Sequence, residues 1–319
     1  MTGGPELLNL FDRFRSALGT SGSQAAPSDV DLPAFLEDFS IECMPRTAEK
    51  IDDFRDLLPT GTRVYIAHIE GTEFEDMVAT AARLSREGFR PMPHFPARLI
   101  PDRATLREMI ARYQGEAGVE QGLLLAGGAR EPAGLFDSSI AMIETGLFDE
   151  AGFTRLHVAG HPEGNRDIDP NGGTANVETA LKWKAAFAER TDAQMAIVTQ
   201  FSFDPEPIIT WAHSVEQAGI GLPIHIGIAG PAKLQTLIRF AIACGVGPSL
   251  SVLQRRAGDV SKLLLPYEPT DFLAALARHK AAHPDFNIAR VHVFPLGGLR
   301  AASEWTKAHA GPHGVPANG

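Results

Sequence analysis

The chain has 319 residues, 44% of them hydrophobic and 21% charged, which is the balance of a globular protein able to bury a large core. Its 29 Lys and Arg against 39 Asp and Glu give a net charge of −10, which argues against nucleic acid or an anionic membrane surface as a partner. With only Cys43 and Cys244 there is no disulfide framework or CxxC metal site, and no apolar run reaches the ~18 residues of a membrane span, so a cytoplasmic setting is expected.

In chain order, residues 5–19 carry Leu7, Leu8, Phe11, Phe14 and Leu18 at helical spacing, with scattered charges and no uninterrupted apolar stretch of the secretory kind. Residues 19–31 read as a linker. Strands are then predicted at 39–44, 63–69, 90–96, 121–127, 155–161, 195–203, 223–230 and 290–297. Between them lie helical patterns, for example 73–88, 103–118, 176–190, 205–219 and 231–245. Several end in glycine, and two open with proline in the first turn. A Gly/Pro-rich tail closes the chain at 310–319.

Strands alternating with helices imply a parallel sheet, either open and doubly wound or closed into a barrel. The strand faces favour closure. Ser40 and Glu42 share one face and Ile41 and Cys43 the other. His157, Ala159 and His161 oppose Leu156 and Val158, and His225, Gly227 and Ala229 oppose three isoleucines. An open sheet covered on both faces shows apolar runs instead. No GxGxxG follows the first strand. The expectation is a single-domain (β/α)8 TIM barrel over 39–309, with residues 1–38 as an N-terminal helical extension and linker.

Barrel chemistry gathers at the C-terminal ends of the strands. Glu42 sits late on the first strand among apolar residues. Lost solvation there favours a neutral carboxyl that can donate a proton. The alternative is a structural carboxyl paired with a cation from another strand. His68, His94 and His161 close three different strands and would serve a metal-dependent hydrolase, yet no HxH or HExxH spacing supports a metal and none is expected. Gln200, ending the sixth strand, suits a flat heterocycle because its amide both donates and accepts. Asp204, followed by Pro205, reads as a helix cap. Ala126, Gly127 and Gly128 end the fourth strand, where glycine admits close backbone approach to a phosphate or a ring. Arg166 lies in the polar loop HPEGNRD and is available for a phosphate.

Seven segments in order resemble the methylenetetrahydrofolate reductase family, flavin-dependent (β/α)8 barrels. FSIECMPRT is similar to the family's F-E-F-F-P-P-R-T, MPHF to its P-H-L, VAGHPEG to its Y-P-E and ALKWK to its L-K-x-K. TQFSFD is similar to T-Q-F-F-F-D, HIGIAGPAKL to P-G-I-x-P, and HVFPLGGLRAASE to the closing strand and helix. The resemblance implies reduction of 5,10-methylenetetrahydrofolate with hydride from NAD(P)H through FAD. It implies Glu42 as general acid and Gln200 as a folate contact. It places His94 and Lys184 at flavin contacts, with His161 replacing an aromatic there. Three departures stand out. The family's R-G-D is Ala126-Gly127-Gly128 here, Leu234 occupies the position of an aromatic that stacks on the pterin, and Val177 and Ala180 replace a polar pair. The implied partner is a tetrahydrofolate derivative. A non-catalytic folate-binding protein of the same fold remains an alternative, and a homo-oligomer is left open.

Overall fold

The computed structural model describes residues 32–246, 250–257 and 265–310. The predicted leader helix, the linker and the tail beyond residue 310 lie outside the described residues. A four-residue helix, Leu32–Phe35, precedes the first strand.

All eight predicted strands form. They are β1 (Ser40–Cys43), β2 (Arg63–Ile66), β3 (Arg90–Pro96), β4 (Gln121–Leu125), β5 (Arg155–Gly160), β6 (Gln194–Ser202), β7 (Ile224–Ala229) and β8 (Ile288–Phe294). Each pairs in parallel with the next, and β8 pairs with β1, so the sheet closes into a barrel. The predicted long helices follow at Phe74–Arg86, Arg103–Ala117, Ala175–Ala188, Pro205–Gln217 and Leu234–Ala243. Helices Thr270–Ala282 and Leu299–His309 flank β8, and two short ones, Ser139–Ile143 and Leu147–Glu150, lie between β4 and β5.

The boundaries have local causes. Asp102 caps helix Arg103–Ala117 by accepting from the Thr105 N–H at 2.8 Å, and Gly118 ends it in a left-handed turn at φ 61°. Asp204 caps helix Pro205–Gln217 as its sequence suggests, accepting from the Glu206 N–H at 3.2 Å.

Period-two alternation divides the strand residues into two populations. Ile41, Val64, Ile66, Leu124, Leu156, Val158, Ile197, Ile226 and Val291 join one continuous apolar cluster with the helices. Burying such a side chain contributes roughly 1.5–3 kcal/mol, so this annulus dominates stability. The inner residues are mixed. Tyr65, Met92, Leu123 and Val198 form a small separate apolar group. Beside them Ser40, His94, His157, His225 and His292 are all buried. The lumen is thus unusually rich in imidazole.

Candidate active site

Glu42 reaches the C-terminal half of the lumen from β1 and keeps 20% of its side chain exposed. Two imidazoles converge on one of its oxygens. His94 Nε2 of β3 lies 3.5 Å from Oε2, and His292 Nε2 of β8 lies 3.8 Å from the same atom. Neither nitrogen has a hydrogen-bond partner although both are buried. Among the described residues no lysine or arginine pairs with Glu42, so the structural-carboxyl alternative finds no cation. Burial pushes His94 down to about 4, which keeps the ring neutral at physiological pH.

His292 is held from below. Its Nδ1 lies 2.9 Å from Ser40 Oγ, and its ring packs on Tyr65 with centroids 4.3 Å apart. The Tyr65 hydroxyl is hydrogen-bonded to His157 Nδ1, and burial pushes that phenol up. A Ser40 hydroxyl donating to Nδ1 leaves the His292 proton on Nε2, facing Glu42. His292 was not singled out from sequence, yet the alternation Val-His-Val in β8 is the same signal that marked His157 and His225.

Gln200 is placed at the rim by a fault in the sheet. The β6–β7 register shifts between Val198 and Phe201. Thr199 Oγ1 donates to the Gln200 carbonyl at 2.9 Å and accepts from the Gly227 N–H at 2.9 Å. The bulge turns Gln200 into solvent while Phe201 and Ser202 stay buried, so Gln200 and Ser202 do not share the lumen face that strict alternation predicts. The Gln200 side-chain oxygen accepts from the Phe201 N–H at 3.1 Å, leaving its amide nitrogen free of partners among the described residues. A Cβ on Gly227 would sit 2.5 Å from the Thr199 carbonyl oxygen and 2.6 Å from Gln200 backbone atoms. Gly227→Ala is therefore expected to shift the bulge, costing about 1–3 kcal/mol in urea unfolding and weakening ligand binding. Unchanged stability and affinity would show that the bulge does not depend on this glycine.

Lys184, from helix Ala175–Ala188, is 5% exposed, and among the described residues its Nζ donates only to the Ala159 carbonyl, at 3.3 Å. Burial lowers it to about 8. His161, past the end of β5, is lowered to about 4 by burial and then by the Lys184 charge. The loop between them is folded: buried Asp169 accepts from the N–H groups of Asn176 and Val177 at 2.9 and 3.1 Å, capping the helix. Arg166 is exposed on that loop with no ion pair among the described residues.

After β4, the Ala126 carbonyl accepts from the Arg98 N–H at 2.9 Å, and the Arg98 guanidinium donates to the Ala129 and Asp137 carbonyls at 3.3 and 2.9 Å. Arg98, missed from sequence, thus ties down this loop. Gly127 adopts φ 92°, and a Cβ there would meet Pro96 at 2.9 Å, whereas Gly128 opens on free space. Leu234 departs from the position expected of it. It is 4% exposed, packed with Phe201, Phe203, Leu237 and Tyr267 in a satellite cluster, and acts there as core. His68 lies beyond the end of β2, with its Nδ1 buried and unpartnered. Among the described residues no three His, Cys, Asp or Glu side chains are placed to hold a metal, so His68, His94 and His161 do not assemble as a triad. No described helix is long and apolar enough to cross a membrane.

An uncharacterized protein from Clostridium thermocellum, which binds two copies of 5-methyl-5,6,7,8-tetrahydrofolic acid, matches with a TM-score of 0.52 at 11% identity, over 86% of this chain and 94% of that one. The chain shares that protein's fold. The barrel also aligns with dihydropteroate synthase from Thermus thermophilus, with a TM-score of 0.41 at 14% identity over 87% and 94% of the two chains. No protein-family model matches, so the barrel's family resemblance rests on its short motifs.

Proposed function

We propose that this barrel reduces 5,10-methylenetetrahydrofolate to 5-methyltetrahydrofolate with hydride from NAD(P)H. The observation that carries the reading is Glu42: a carboxyl at a strand end, within reach of solvent, contacted by two histidines and, among the described residues, by no lysine or arginine. The motif order and a fold neighbour that binds 5-methyltetrahydrofolic acid support the substrate class.

In this reading Glu42 gives its proton to N10 of the bound folate, directly or through a water. The N10–methylene bond breaks, its electron pair stays on N10, and an N5 iminium cation forms. Hydride addition converts that carbon to the methyl group, while NAD(P)H becomes NAD(P)+. Gln200 presents its free amide to the pterin edge, and His94 and His292 flank one oxygen of the Glu42 carboxyl at 3.5 and 3.8 Å. The neutral His94 ring adds no positive charge to oppose the developing cation.

The residues present suit one end of FAD. Buried Lys184, whose Nζ bonds to one carbonyl among the described residues, fits a phosphate or flavin oxygen, with Arg166 on the loop that precedes its helix and Gly128 opening on free space. FAD, when bound, supplies a hydride carrier recharged by NAD(P)H. Ala126, Gly127 and Gly128 add no side-chain charge. A charge-assisted hydrogen bond contributes about 1.5–3 kcal/mol, so FAD is expected to bind roughly tenfold or more weakly than in barrels carrying R-G-D. Titration of FAD-free protein, followed by flavin fluorescence, checks this, and affinity equal to that of R-G-D barrels sinks it. The missing charges also favour a second reading, a folate binder without catalysis. Folate binding with no turnover under added FAD and NADH or NADPH would select it.

A further inference from the structure

The opposite end of the barrel carries a different cluster. Arg63, Arg90 and Arg155 are the first residues of β2, β3 and β5, and Arg290 is the third of β8. Register sets Arg63 beside Arg90, and Gln121 beside Arg155. Among the described residues one carboxylate pairs with members of this group: Asp38, with Arg90 at 2.7 Å and Arg290 at 3.2 Å. Among the described residues, four guanidiniums against one paired carboxylate leave an excess of three positive charges at this mouth.

Arg63 is the most deeply buried of the four. It is 3% exposed, and among the described residues its guanidinium bonds only to Gln121 Oε1, at 3.0 Å through Nε. A neutral amide does not offset a buried charge, and arginine does not neutralise itself by losing its proton. Arg155 is half-buried and makes no hydrogen bond or ion pair among the described residues. Deeper in the lumen, His157 Nε2 and His225 Nδ1 are also buried without partners, on rings whose centroids lie 4.7 Å apart. Burial first, with Arg63 and Arg155 among the further causes, holds both imidazoles neutral, and a Tyr65 hydroxyl donating to His157 Nδ1 leaves the His157 N–H at Nε2.

We propose that the N-terminal mouth of the barrel binds a phosphate-class dianion between Arg63 and Arg155, with His157 and His225 lining its inner wall. Guanidinium forks engage two oxygens at once, which suits phosphate. A dianion offsets most of the charge excess, whereas a single carboxylate offsets little. The site lies at the end remote from Glu42 and does not rest on the reductase reading.

Calorimetric titration of the full-length protein at low salt tests it, with inorganic phosphate, pyrophosphate and a phosphate monoester in separate runs. One site per chain of millimolar affinity or better is expected. Arg155→Gln should weaken it tenfold or more, about 1.4 kcal/mol, while Arg107→Gln on an outer helix leaves it unchanged. Preference for the monoester identifies an esterified ligand and preference for inorganic phosphate the free ion; either supports the site. Equal binding by wild type and Arg155→Gln would mark an adventitious ion only and overturn the proposal. Absence of binding by the full chain, as when its own acidic residues fill the mouth, overturns it too. Arg63→Met gives an independent readout. Without phosphate its melting temperature should exceed that of wild type, and phosphate should then raise only wild type. A lowered melting temperature that phosphate still raises would make Arg63 structural and the proposal wrong.

Discussion

Glu42→Gln is expected to slow methylenetetrahydrofolate reduction by about 10²–10⁴-fold, the usual effect of removing a general acid. Oxidation of NAD(P)H by an artificial acceptor should stay close to wild type. The amide keeps the shape of the carboxyl and its contact distances to His94 and His292, so the pocket persists, but it has no acidic proton for N10. The acceptor reaction opens no folate ring and needs no such proton. Steady-state assays of both half-reactions on one preparation make the comparison. Equal losses in the two would assign Glu42 a structural role and remove the observation on which the reductase reading stands.

The second large effect concerns acid. His94, His157 and His225 are buried in the lumen, and burial is the leading cause of their low proton affinity: His94 is held to about 4, His225 to about 3 and His157 well below the ordinary value. In the unfolded chain each titrates near 6.5. Below that pH the unfolded state binds protons that the native state refuses. Stability is therefore fully present above about pH 6.5 and lost as the pH falls towards 4. With three such groups the slope approaches roughly 4 kcal/mol per pH unit, against a total stability of about 5–15 kcal/mol for a typical protein. Urea unfolding between pH 7 and pH 5 should show this loss, and His225→Gln should reduce the slope by one group's share, about 1.4 kcal/mol per pH unit. A stability that holds level until carboxylates begin to protonate would mean that the native lumen accepts these protons.

The barrel was largely legible in the sequence because closure imposes a pattern. One strand face meets helices and must be apolar, while the other meets the lumen and tolerates Ser, His and Glu, so Ile-Glu-Cys, Leu-His-Val and Ile-His-Ile-Gly announce their faces. Glycine after the helices at 88, 118, 219 and 245 marks their ends because each adopts positive φ. The β6 bulge was not legible. MAIVTQFSF contains no glycine, and the residue that permits the bulge, Gly227, lies on the neighbouring strand. Leu234 misled for a related reason: motif order locates a residue along the chain but not the direction of its side chain. The lower arginines went unnoticed because each lies near the start of its own strand, where a charged residue looks like an ordinary surface end; only the closed register brings them together.

The register fault in β6 also has a bearing on how this barrel diverges over evolutionary time. Glu42 stands on a strand whose Ile41 and Cys43 belong to the main apolar annulus, whereas the chain leaving Gln200 enters the satellite cluster with Phe201, Phe203, Leu234 and Tyr267. In the proposed reading, proton donor and recognition residue are therefore carried by separately packed foundations. On that reading, drift in the satellite cluster would retune which ligand is accepted without disturbing the acid, and drift in the annulus would endanger the whole molecule. Substrate preference in barrels of this design is free to wander while the chemistry stays put.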